Sequence, residues 1–252
     1  MAWLQDVKWP EVEAYLKEKD LILLPIGSTE QHARHAPLGT DTIIASRLAE
    51  DAAAQANVMV APPLWFGWSP HHMVLPGSIS VRANVLQELV FDVIGSLAQH
   101  GFQRFVIVNG HRITNLPWMQ LTAERAQSEL KVRVRIFDPA YMQKEVAQTL
   151  GFGPVGHAEE LETSQLMHID PDLVDLSKAV DSDPHETPLY QVDPRFPQDT
   201  LCYVPSTRDQ MREIVKRTGG STGHPTKSTA ESGSKLHGHL VNRLVQVISQ
   251  FE

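Results

Sequence analysis

The sequence predicts an αβα sandwich built around a mostly parallel sheet. Three observations carry this reading: short apolar runs of strand length, helix-length segments between them, and Gly or Pro closing the runs. The 252 residues are 42% apolar, enough to bury a substantial core without staples. Cys202 stands alone, which excludes an internal disulfide and a multi-cysteine metal site. One domain over residues 1–252 is expected, with a more decorated second half.

The elements follow in order. LILLPI, Leu21–Ile26, is an apolar run ended by Gly27 and reads as a buried strand. Asp41 or Thr42 is expected to cap the next helix, whose sequence DTIIASRLAEDAAAQAN is rich in strong helix formers. Residues 57–61 return to strand character until Pro62-Pro63. An aromatic loop with Trp65, Phe66, Trp68, His71 and His72 follows as a candidate pocket wall. Residues 83–100 have apolar positions recurring at helical spacing. RFVIV at 104–108 is a second buried strand, and Asn109-Gly110 makes a sharp exit. A helix over 116–130 and an alternating, more exposed strand over 131–137 complete the regular part. Beyond it, 159–169 reads as a helix, 181–200 as a surface wrap, 219–225 as a loop, and the chain from 227 as a last long helix.

Charge and targeting signals narrow the function classes. Twenty-two basic against 30 acidic residues give a net charge of −8, which disfavours a broad nucleic-acid surface. The start MAWLQDVKWPEVEAY lacks the pattern of a signal peptide, and no apolar run reaches the roughly 18 residues of a membrane span. A cytoplasmic protein without a membrane or nucleic-acid partner is the expectation.

The chemistry gathers in three segments. GSTEQHARH followed by Asp41 sets Glu30, His32 and Asp41 just beyond the first strand, where parallel α/β sheets form their site crevice. Carboxylates and imidazoles there suit a divalent metal, and a polar loop with Asp41 as helix cap is the competing reading. NGH places His111 at a second strand end, as ligand or as a buried hydrogen-bonding group, with Gly110 supplying backbone freedom to turn it inward. GHAEELETS offers His157 and Glu162 from a loop and an early helical turn, while Glu159 and Glu160 read as a solvated acidic face. The spacing is not that of a zincin, and no dinucleotide or phosphate loop is present. Ser28 lacks a nucleophile elbow.

Together these segments resemble the creatininase, or creatinine amidohydrolase, family. GSTEQHARHAPLGTD, NGH and GHAEELETS match its three motifs, with HHMVLPGSIS and a late GHP in comparable order, over about residues 20–240. The resemblance implies an αβα creatininase-like fold and a dinuclear site. Glu30, Asp41 and His111 would hold one divalent ion, and His32 and Asp41 the other, with Asp41 bridging. It also implies a homo-oligomer, often a hexamer, and cleavage of carbon–nitrogen bonds in cyclic or formyl amides.

The chain departs from that pattern at one position. Creatininase has a metal-binding glutamate two residues beyond the NGH histidine, where this sequence has Ile113. Glu162 is the expected replacement ligand, unless it orients His157 instead. His157 is the expected proton-transfer group, since imidazole titrates near neutral pH. The ions are two per chain, with Zn, Mn and Fe all compatible with an N/O ligand set.

The expected function is a metal-dependent amidohydrolase acting on a small polar cyclic amide, with creatinine itself not singled out. Hydrolysis of another carbonyl-containing ring, such as a ketosugar or inosose, is the second reading, and a non-catalytic metal-dependent binding protein the third. Arg34, His35, Trp65, Trp68, His71, His72 and His224 are candidate pocket or support residues.

Overall fold

The computed structural model describes residues 3–182, 192–196, 202 and 204–251. Helix α1 (Trp9–Leu16) leads into strand β1 (Leu21–Ile26), helix α2 (Thr40–Ala56) and strand β2 (Met59–Val60). Helix α3 (Ala83–Gln99), strand β3 (Arg104–Asn109), helix α4 (Leu116–Leu130) and strand β4 (Arg133–Phe137) follow. The second half carries helices α5 (Pro139–Met142), α6 (Lys144–Thr149), α7 (Glu160–Ile169), α8 (Arg208–Thr218) and α9 (Ala230–Ser249).

The sheet runs β2-β1-β3-β4 with every pair parallel. All of β1 is buried because both faces are covered, which is why it reads as an unbroken apolar run. Leu21 and Leu23 point with Val106 and Val108 toward a core shared with α2 and α9. Ile22, Leu24 and Ile26 point the other way, with Phe105 and Ile107, onto α3 and α4. Each such large aliphatic side chain contributes roughly 1.5–3 kcal/mol by leaving water. The αβα sandwich is therefore present as the apolar pattern predicts.

Pro25 would disrupt a fully paired central strand. It is accommodated because β2 ends at Val60, so the Pro25 edge faces a loop, and its carbonyl accepts from the Leu64 amide at 3.0 Å. The second strand is accordingly shorter than the 57–61 expected.

Other expectations need correcting. Gly39 is the N-cap of α2 without a side-chain cap, and Asp41 and Thr42 lie buried within the first turn. Asp41 turns its carboxylate toward the strand ends instead of the helix amides. Helices α1 and α8 were not anticipated, although α8 carries a legible signal, the Thr207–Gln210 capping box. Most of the 181–200 surface segment lies outside the described residues. Among those that are described, no helix is long and apolar enough to cross a membrane.

Candidate metal centre

Strands β1 and β3 end level with each other, Ile26 opposite Asn109, so the segments after them emerge side by side. A methyl group added at Gly110 would run into the Asp41 carbonyl, and one at Gly27 into the Thr42 backbone. These glycines let both strand ends press against the first turn of α2. Gly110 is thus required for close approach, and its φ is not positive.

This packing gathers the acidic and imidazole groups from three parts of the chain. His32 Nε2 lies 3.2 Å from Asp41 Oδ1 and 3.6 Å from Glu162 Oε2. His111 faces Glu30 Oε2 at 3.2 Å through Nε2 and Asp41 Oδ2 at 3.1 Å through Nδ1. Three overlapping groups have ligand atoms close enough to share an ion: Glu30, Asp41 and His111; His32, Asp41 and Glu162; Glu30, His32 and His157. Both Glu30 oxygens, His32 Nε2 and Asp41 Oδ2 are buried without a hydrogen-bond partner. Unpartnered buried charges of this kind are costly, and a bound cation removes the cost. The donor set, carboxylate and imidazole without thiolate, fits a divalent ion of the Zn, Mn or Fe type.

The hydrogen bonds around the cluster fix which ring atoms face inward. His32 Nδ1 donates to the Glu30 carbonyl at 3.1 Å, leaving Nε2 aimed at Asp41 and Glu162. His157 Nε2 donates to the Gln31 carbonyl at 2.5 Å, so Nδ1, 3.5 Å from Glu30 Oε1, is the atom it presents to the cluster. Gln31 Oε1 accepts from the Ala33 amide, which orients its Nε2 as donor to His72 Nδ1. His72 Nε2 then faces Glu30 Oε1 at 3.2 Å.

Burial disfavours charge throughout, and the neighbours decide the outcome. It would lower His32, but Asp41 and Glu162 overcome it and raise His32 to about 10. The same contest, won by Glu30 and Asp41, raises His111 to about 9. Glu30 is pushed up to about 7 by burial, with His111 pulling back. Asp41 is held below the usual carboxylate range by His32 and His111 despite its burial. Burial, reinforced by His32, keeps His157 well below the ordinary imidazole value and hence neutral.

Glu159 and Glu160 do not form a solvated acidic face; both are buried. Glu160 accepts from the backbone amides of Gly153 and His224 at 2.9 and 2.7 Å. Glu159 is paired with Arg112, whose Nη2 lies 2.8 Å from Glu159 Oε1 and 2.6 Å from Glu162 Oε1. Sequence reasoning missed Arg112. The available signal was the run of glutamates at 159, 160 and 162, which needs a cation if it is buried.

A cavity of about 260 Å³ opens beside the cluster, lined among others by His71, His72, Ile113, His157, Met211 and Ile214. Of the candidate support residues, only His71 and His72 reach it. Trp68 packs against the α3–α4 core. The Trp65 ring lies against Gly39 at the surface. His35 bonds to Thr163 Oγ1 at 3.0 Å, Arg34 lies over Gly219, and the His224 amide is engaged by Glu160. Ser28 is fully buried against Ser69, which suits a structural hydroxyl.

Comparison with known proteins adds the chain's similarities in sequence and fold. The profile of the family "Creatininase: Creatinine amidohydrolase" matches residues 5–248. Creatinine amidohydrolase of Pseudomonas putida is 30% identical over 233 residues, covering 85% of this chain and 88% of that protein. The 3-dehydro-scyllo-inosose hydrolase of Thermotoga maritima is 29% identical over 190 residues, 72% of this chain but only 60% of that protein's length. A solved structure described as "Creatininase Mn" superposes with a TM-score of 0.83 at 25% identity, covering 99% of this chain and 98% of that one.

Proposed function

The chain belongs to the creatininase family, and from that premise we propose that it is a dinuclear metal-dependent amidohydrolase acting on a small polar cyclic amide. The carrying observation is Asp41, whose two oxygens face His32 and His111 at 3.2 and 3.1 Å in the manner of a bridging ligand. Glu30 and His111 complete one ion position, and His32 and Glu162 the other. Two divalent ions would supply an activated water and polarise the substrate carbonyl.

The protein's own groups then manage the proton. His157 is neutral, and its Nε2–H is committed to Gln31, so Nδ1 is free to accept a proton from the attacking water. It delivers that proton to the departing nitrogen. Glu30 faces His72 with one oxygen and His111 with the other, both at 3.2 Å. The cavity beside the cluster holds the substrate, with His71 and His72 on its wall.

The Thermotoga maritima relative supports a second reading, hydrolysis of a carbonyl-containing carbocycle by the same activated water. A homo-oligomer, hexameric as is frequent in the family, is also proposed. Exposed Leu38, Trp65, Phe66 and Ile79 lie around the Thr29–Gly39 loop and give a second copy apolar surface to cover.

The test is multiple-turnover product formation by metal-stripped protein after restoring Zn or Mn, on panels of cyclic amides and inososes with mass detection. Metal-dependent product beyond one equivalent is expected. Tight binding with no product from any member of either panel would instead identify a binding protein. The His157→Asn variant should keep two ions while losing rate, and loss of an ion would make His157 a ligand.

A further inference from the structure

We propose that Arg112 is a positioning residue: it ties down Glu162 Oε1 so that Glu162 serves the second ion position through Oε2 alone, with Glu159 anchoring the guanidinium from behind. This rests on the assignment of Glu162 as a ligand.

The geometry divides the work of the Glu162 carboxylate. Oε1 accepts from Arg112 Nε at 3.1 Å and lies 2.6 Å from Nη2. Oε2 accepts from the Ala158 amide at 2.8 Å and faces His32 Nε2 at 3.6 Å. Ala158 takes a left-handed conformation, φ 49°, in the turn that presents this amide. A carboxylate at an early helical position would otherwise be free to rotate, swing away or chelate an ion with both oxygens. Held at both ends, it offers one lone pair in one direction.

The Nε and Nη2 edge of the guanidinium is taken up by carboxylate and carbonyl oxygens. Arg112 Nη2 also reaches Glu159 Oε1 and Oε2 at 2.8 and 2.9 Å and the Gly156 carbonyl at 3.5 Å. Its side chain borders the cavity but is only 7% exposed, and this edge of the guanidinium is turned to Glu162 and Glu159. Planar, multi-toothed bonding of this kind suits arginine and not lysine. Arg112 also directly follows His111, placed at the other ion position. One peptide unit therefore links the supports of both positions.

Removing Arg112 alone would leave two buried carboxylates facing each other, a strongly destabilising change. The cleaner probe is Arg112→Met combined with Glu159→Gln, which removes one charge of each sign and keeps Glu162. Cobalt(II) is titrated into metal-stripped protein and followed by calorimetry and by its visible spectrum. The unmodified protein should take two equivalents. The double variant should bind the first with affinity within about twofold of unmodified protein and the second at least ~10-fold more weakly.

Two equivalents at unchanged affinity in the double variant would overturn the role of Arg112. Glu162→Gln separates this from the underlying assignment: if that variant also binds both ions fully, Glu162 is not a ligand. If it loses the second ion while the double variant keeps both, Glu162 is a ligand and only the Arg112 proposal fails. Should the double variant not fold, a crystal structure of the cobalt-loaded unmodified protein decides. Oε1 on Arg112 with Oε2 on the ion upholds the proposal, and chelation by both oxygens refutes it.

Discussion

His32 Nε2 and Asp41 Oδ1 face each other at 3.2 Å with both side chains withdrawn from water. Asp41 and Glu162 outweigh burial here and raise His32 to about 10. A proton and a divalent cation would compete for the same buried cluster.

Metal uptake should therefore expel protons. With His32 raised to about 10 and His111 to about 9, both imidazoles are charged at pH 7 in stripped protein. Loading should release roughly two protons per chain from these rings, falling off above pH 9. A pH indicator in weakly buffered solution reads this directly. No release at pH 7 would mean that these histidines do not become ligands.

Asp41→Ala should remove the shared ligand of both ion positions. Metal content is expected to fall below one equivalent and turnover by at least ~100-fold, while the circular dichroism of the fold persists. Element analysis alongside activity is the measurement. Two retained ions would show that Asp41 does not bridge.

Tyr15 tests the fold independently of the site. Its hydroxyl donates to the Leu21 carbonyl at 2.5 Å and accepts from the Met59 amide at 3.3 Å, joining α1 to β1 and β2. Tyr15→Phe should cost about 1–3 kcal/mol by leaving buried backbone groups unpaired. Burial also pushes its pKa up to about 12. The folded state resists ionisation there, so the associated stability is intact below pH 10 and lost as pH rises toward 12. Denaturant curves at pH 8 and pH 11 should show that loss in the unmodified protein and a smaller one in the variant.

His71 should report in acid. Burial, then the charge on His111, lowers it to about 3. A depressed histidine favours the fold above its unfolded value near 6.5 and stops doing so as pH falls toward 3. His71→Asn should therefore flatten the acid limb of stability by on the order of a few kcal/mol between pH 6.5 and pH 3. Urea midpoints of metal-stripped protein across that range measure it, and parallel curves would exclude His71 as a contributor.

The strands and long helices were legible because periodicity and burial coincide: LILLPI and RFVIV are apolar throughout since both sheet faces are covered. The residues gathered in the cluster were legible because each carries chemistry at a strand end or in a motif. What the sequence hid were relations across the chain. The partnership of Arg112 with Glu159 and Glu162 spans almost fifty positions and leaves no local pattern. Glu160 looks solvated by composition, yet it clasps two backbone amides whose positions only the fold sets. Asp41 reads as a helix cap until the close packing at Gly110 shows where its carboxylate must turn.

The division of the centre between the two halves of the chain has a consequence for how the molecule is made. Glu30, His32 and Asp41 leave the ribosome early, whereas His157, Glu162 and the wall carried by α8 arrive much later. A nascent chain cannot assemble the centre until α7 has docked against α2, a contact of high sequence separation and hence late in folding. Ions that bind the finished centre would act as a latch, stabilising the native state according to their free concentration. Metal supply in the cell would then govern the lifetime of this protein as well as its chemistry.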